Sequence, residues 1–130
     1  MAGTLVANTI NTDTGLFSTN NAYSGIAKAW CNYTPSTGTI NGSFNVSSIT
    51  KNSTGYYTVN LTTAMPNINY SLVGAACNTS GQQTVTFCPF TQTSSPYTLA
   101  PTTSTFTFTT QAAGVGFFDV VYAQFAVLGA

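Results

Sequence analysis

Apolar and polar side chains alternate with a period of two along much of this chain. The alternation is cleanest from Tyr56 to Thr63, where Tyr57, Val59 and Leu61 fall on one side and Tyr56, Thr58, Asn60 and Thr62 on the other. That period marks a strand with one buried face. Ile26 to Tyr33 reads the same way, with Ala27, Ala29 and Cys31 sharing a face. So do Tyr70 to Cys77, Gln83 to Cys88 (Val85 and Phe87 on one face) and Ser104 to Thr110, with Phe106 and Phe108 inward and Thr105, Thr107 and Thr109 outward. Thr39 to Thr50 predicts a strand that breaks at the hairpin dipeptide Asn41-Gly42. Phe117 to Leu128 predicts one long final strand, apolar on both faces and so covered on both, by its own domain or by a partner.

Turn residues separate these runs: Pro35 to Gly38, Lys51 to Gly55, Ala64 to Asn67, Asn78 to Gly81 and Gln111 to Gly114. Thr91 to Thr103 holds Pro96 and Pro101 and reads as loop. No segment carries a helical period. Seven or eight short strands at this spacing predict an all-β chain, an antiparallel β-sandwich of jelly-roll-like or Ig-like kind. Residues 26–130 form the sandwich domain in this reading. Residues 1–25 are polar and turn-rich, with a turn at Asp13-Thr14-Gly15, and read as an N-terminal arm or lead-in strand. An arm of this kind lies on a neighbouring subunit or serves as the first strand of its own domain.

Charge narrows the function further. Only Lys28, Lys51, Asp13 and Asp119 are charged at neutral pH among 130 residues, and the chain has no His, Glu or Arg. General acid–base catalysis and metal sites draw on the residue types that are scarce here, so no catalytic, cofactor-binding or metal-ligating residue is nominated and no enzyme is expected. The two carboxylates are far apart in sequence; Asp119 is expected beside Lys28 or at an interface, Asp13 in a turn, and Lys51 in a solvated turn. No basic patch offers counterion release to nucleic acid, and no apolar run reaches the length of a membrane span. No export signal is visible at the first residues, so Asn-X-Ser/Thr triplets such as Asn52-Ser53-Thr54 carry no weight.

Cys31, Cys77 and Cys88 are odd in number and fit free thiols; Cys31 and Cys77 are expected in the core. Hydrophobic residues make up 43% of the chain, enough for a real core. A nearly neutral surface lacks the charge repulsion that keeps monomers apart, which points to a homo-oligomer or a larger assembly. Sugars remain a plausible ligand class, because amides, hydroxyls and an aromatic platform hold them without ionisable groups. Trp30, Tyr33, Tyr56, Tyr70 and Tyr97 supply the aromatics, although aromatics on such strands serve a core or an interface more often.

One stretch carries a resemblance. It comprises Ala27-Lys28-Ala29-Trp30, then Gly42-Ser43-Phe44-Asn45-Val46-Ser47-Ser48-Ile49-Thr50, then Gly55-Tyr56-Tyr57-Thr58-Val59-Asn60-Leu61-Thr62-Thr63-Ala64-Met65-Pro66 and Tyr70. In order and spacing this resembles the C-terminal module of bacteriophage tail fibres and other virion-surface proteins. The apolar strand Val120 to Val127 is similar in pattern. The resemblance implies a virion component assembled in the bacterial host cytoplasm, trimeric, with no catalytic residues to carry over. A short copy suits a capsid decoration, cement or head-knob protein that contacts the major capsid protein or other virion proteins. The alternative is a tail-fibre or fibre-tip module that binds host surface glycans.

Overall fold

The computed structural model describes residues 9–12, 15–18, 25–78, 85–90 and 100–129. The fold is all-β, as the alternation predicts. Strands β3 (Ala27–Thr34), β4 (Thr39–Phe44), β7 (Ser71–Cys77) and β11 (Tyr122–Leu128) make a four-stranded antiparallel sheet in the order β4-β3-β11-β7. Strands β5 (Val46–Ser53), β6 (Tyr56–Leu61), β8 (Val85–Pro89), β9 (Thr105–Ala112) and β10 (Gly116–Phe117) make a five-stranded one. In the second sheet β9 is central: β6 and then β10 line one edge, and β8, whose register overlaps both, lines the other. A separate antiparallel hairpin, β1 (Thr9–Thr12) with β2 (Gly15–Ser18), joins Thr12 to Gly15 across Asp13 and Thr14.

The two sheets pack as a sandwich because their inward residues meet between them. From the four-stranded sheet come Ala29, Cys31, Tyr33, Ala123, Phe125 and Val127; from the other come Tyr57, Val59, Leu61, Phe106 and Phe108. The rings interlock across the interface: Tyr33 meets Tyr57 edge-on at 5.6 Å, and Phe106 meets Phe125 edge-on at 5.3 Å. Burial of each such side chain stabilises the fold by roughly 1.5–3 kcal/mol. Gly74 on β7 completes the fit at one margin. A Cβ there would lie 2.5 Å from the Phe87 ring of β8, and that ring stacks on Phe108 at 5.0 Å.

Several local expectations are corrected. The break in Thr39–Thr50 falls at Asn45, not at Asn41-Gly42. Asn45 has φ 56°, a left-handed conformation that Asn tolerates, and there the chain leaves one sheet for the other. Gly42 instead lies mid-strand opposite Asn32, and a Cβ on it would lie 3.5 Å from the Trp30 ring. The final run is not one strand. β10 ends at Phe117, residues 118–121 cross between the sheets, and only Tyr122 onward pairs with β3 and β7. The crossing changes the parity, so Val120 is buried along with Ala123, Phe125 and Val127.

The threonine face of β9 is also not exposed: Thr107 and Thr109 are buried. β9 has a strand on each side, and the larger Tyr56 and Cys88 flank Thr109 in register. Cys77 is exposed rather than in the core, because its parity on β7 is that of Val73 and Ala75. Lys51 belongs to strand β5, not to a turn. The expected turn at Asn78 to Gly81 beyond Asn78, the residues Asp13, Thr14 and Tyr97, and Pro96 in the loop lie outside the described residues.

Candidate interaction surface

The outer face of the four-stranded sheet follows from the same alternation that fills the core. On β3, Ala29, Cys31 and Tyr33 point inward, so Trp30 and Asn32 point out. The register then sets Phe44 beside Trp30, Trp30 beside Ala126, and Ala126 beside Val73. Four uncharged apolar side chains thus form one row across all four strands, roughly 14 Å wide at the usual strand spacing. Phe44 is 54%, Trp30 44% and Val73 52% exposed. The next row holds Asn32, Gln124 and Ala75, and the one beyond it Tyr122 and Cys77. Between Trp30 and Val73 a shallow groove of about 540 Å³ runs over Ala126, with Asn32 and Gln124 at its polar end.

A second groove, about 590 Å³, opens where the chain changes sheets; Ile26, Lys28, Phe44, Met65 and Pro66 line it. Asn45 holds this corner shut. Its Nδ2 donates to the carbonyls of Lys28 (3.0 Å) and Thr63 (3.1 Å), and its Oδ1 accepts from the Thr63 N–H at 2.7 Å. One side chain therefore ties β3, the β4–β5 crossing and the segment after β6. Phe44 lines this groove and also belongs to the apolar row, so the two surfaces are continuous.

The polar residues do structural work. Asp119 lies beside Lys51, not Lys28, and its carboxylate accepts hydrogen bonds from Lys51 Nζ, the Tyr57 hydroxyl and the Gly55 N–H (2.8 Å). Burial alone would raise the Asp119 carboxyl; the bonds from Lys51, Tyr57 and Gly55 outweigh it and hold the group below its ordinary value. Burial and the same carboxylate push the Tyr57 phenol up. Gly55 sits at φ 66°, with the Thr110 carbonyl 2.5 Å from where a Cβ would be, so only glycine fits. The cluster fastens the β5–β6 turn to the β10–β11 crossing. Burial raises the Cys31 thiol to about 11, which makes it a poor nucleophile.

Among the described residues no three His, Cys, Asp or Glu side chains come together. Of the aromatics that might hold a sugar, Tyr33 and Tyr70 are buried, Tyr56 is half-buried and Tyr97 lies outside the described residues. Of the four described, Trp30 alone is exposed. Sequence reasoning placed Trp30 off the core face but missed that Phe44 and Val73, 14 and 43 positions away, align with it; only sheet register brings them together. Comparison with family models, with curated proteins and with solved structures finds no match.

Proposed function

We propose that this protein is a structural component of a bacteriophage virion, a homo-oligomer that decorates or cements the capsid through contact area alone. The apolar row Phe44–Trp30–Ala126–Val73 carries the reading. It is a continuous uncharged surface on a chain with only four charged side chains, two of which neutralise each other at Lys51–Asp119. Such a face associates by burial at roughly 25 cal/mol per Å² rather than by charge steering. The segment resembling phage fibre modules supports the same reading, because its residues build β3 to β6 and the Asn45 corner. The partners are further copies, three on the resemblance, and the major capsid protein or other virion proteins. The test is co-sedimentation with capsid shells. Wild-type protein sediments with them and the Trp30→Asp variant stays in the supernatant; equal binding by the two would end this reading.

A second reading has one specific observation in its favour. Trp30, whose ring lies beside Gly42, borders the amides of Asn32 and Gln124 in the same groove. An aromatic platform beside paired amides suits a host surface glycan. Glycan-array binding that Asn32→Ala and Gln124→Ala abolish, with shell association intact, would favour this second role.

A further inference from the structure

We propose, independently of either reading of function, that Asn41 is a site of spontaneous covalent modification. It deamidates through a cyclic imide with Gly42, and the carboxylate so formed turns the amide of Asn32 at the polar end of the Trp30 groove.

Asn41 is the one asparagine in the sequence that is followed by glycine. The backbone nitrogen of a following residue can attack an asparagine Cγ, and a side chain on that residue obstructs the approach. Gly42 has no side chain to do so. Ring closure also requires the backbone to leave its extended course. Along β4 the pairing steps from Asn32–Gly42 to Tyr33–Ile40 and passes over Asn41, which is therefore the extra residue of a bulge. A bulge leaves its extra residue unpaired and disrupts the ladder locally, so departure from strand geometry costs less there. Asn41 is exposed, and water reaches it. Asn52 supplies an internal comparison. It is also exposed, and the β5–β6 pairing passes over it in the same way, but Ser53 follows it.

The Gly42 nitrogen forms a bond to Asn41 Cγ while the Cγ–Nδ2 bond breaks. The departing amine takes the Gly42 proton and leaves as ammonia. Water then opens the imide at one carbonyl or the other. The products are aspartate and isoaspartate, and nothing is oxidised or reduced.

The contacts of Asn41 give the consequence. Its Nδ2 donates to Asn32 Oδ1 at 3.3 Å and to Thr34 Oγ1 at 2.8 Å. Asn32 thus turns its acceptor end to Asn41. A carboxylate only accepts, whereas an amide has a donor end and an acceptor end. After deamidation, acceptor would face acceptor. The Asn32 amide therefore rotates to bring Nδ2 to the new carboxylate, and its Oδ1 takes the place of the donor beside Gln124, its register neighbour in the groove. A chain with two aspartates acquires a third carboxylate at the margin of this face.

The test incubates the full-length chain in mildly alkaline buffer and follows its peptides by mass spectrometry. The peptide holding Asn41 should change from the amide to the acid mass, as aspartate and isoaspartate forms, faster than the peptide holding Asn52. In Gly42→Ala, Asn41 should convert no faster than Asn52. A Cβ at that position would lie 3.5 Å from the Trp30 ring, an ordinary contact that the fold accommodates. Equal conversion of Asn41 and Asn52 in the wild type, or undiminished conversion in Gly42→Ala, would overturn the proposal. In Asn41→Asp, nuclear Overhauser contacts should appear between the Asn32 side-chain N–H protons and the β-protons at position 41. If the Asn32 N–H protons keep their wild-type contacts, the rotation is disproved.

Discussion

Replacing Asp119 tests what the single described ion pair contributes. Asp119→Ala removes the acceptor for the Gly55 N–H, the Tyr57 hydroxyl and Lys51 Nζ together. Hydrogen bonds to a charged group contribute about 1.5–3 kcal/mol each, and a group left unpaired away from water costs a similar amount. Tyr57 is fully buried, so its hydroxyl carries most of the loss, whereas the Lys51 side chain is 45% exposed and its ion pair contributes roughly 0–1 kcal/mol. The expected destabilisation is about 3 kcal/mol for Asp119→Ala, about 1.5 for Asp119→Asn, which keeps one oxygen, and at most about 0.5 for Lys51→Met. Urea unfolding followed by tryptophan fluorescence from Trp30 measures all three. The depressed Asp119 carboxyl also fixes the sign of a pH effect. Its contribution is complete above the unfolded-state value near 3.8 and is lost as pH falls through the lower folded-state value. The wild-type midpoint should therefore drop below about pH 4 more steeply than that of Asp119→Asn. If Lys51→Met costs as much as Asp119→Ala, the ion pair and not the hydrogen bonds holds the corner, and the reasoning is refuted.

Other outcomes follow from the packing. Gly74→Ala should destabilise by about 1–3 kcal/mol by overpacking against Phe87; in a double-mutant cycle Phe87→Ala should cost less on that background than alone. Asn45→Ala should cost about 2 kcal/mol from three lost hydrogen bonds and a left-handed backbone, and Asn45→Gly roughly 1 kcal/mol less, since glycine relieves the backbone alone; equal losses would show that φ is irrelevant. With a thiol reagent at pH 8, Cys77 should react in the native protein and Cys31 only after unfolding; early labelling of Cys31 would contradict the packing.

Strand identity was legible in the sequence wherever one face is buried and the other is not. Tyr57, Val59 and Leu61 occupy the core positions that their alternation assigns, and of the expected β3 face Ala29 and Cys31 are buried while Ala27 is half-buried. The reading failed where tertiary context reassigns a face. Thr107 and Thr109 are polar by type and buried because β9 is central, and nothing local distinguishes a central strand from a marginal one. Asn41-Gly42 has the better hairpin chemistry, yet the break falls at Asn45, whose side chain finds partners 17 and 18 residues away. The Asp119 partner was misjudged for the same reason: 68 residues separate it from Lys51, and only the crossing of residues 118–121 between the sheets joins them. The apolar row was half legible, since parity gave Trp30 to the outside while register alone supplied Phe44 and Val73.

The last strand, β11, sits between β3 and β7 and is the only link between them in their sheet. During synthesis this keystone leaves the ribosome after everything it joins. A nascent chain that has reached β10 can assemble the five-stranded sheet but not its counterpart, and it carries β3 and β7 apart until β11 arrives. Completion of this sheet therefore waits for β11 and depends on long-range pairing, the kind that is slow and exposed to misassembly. A chain that lacks the seven residues of β11 keeps the β3–β4 pair but cannot join it to β7, so its second layer stays in two pieces.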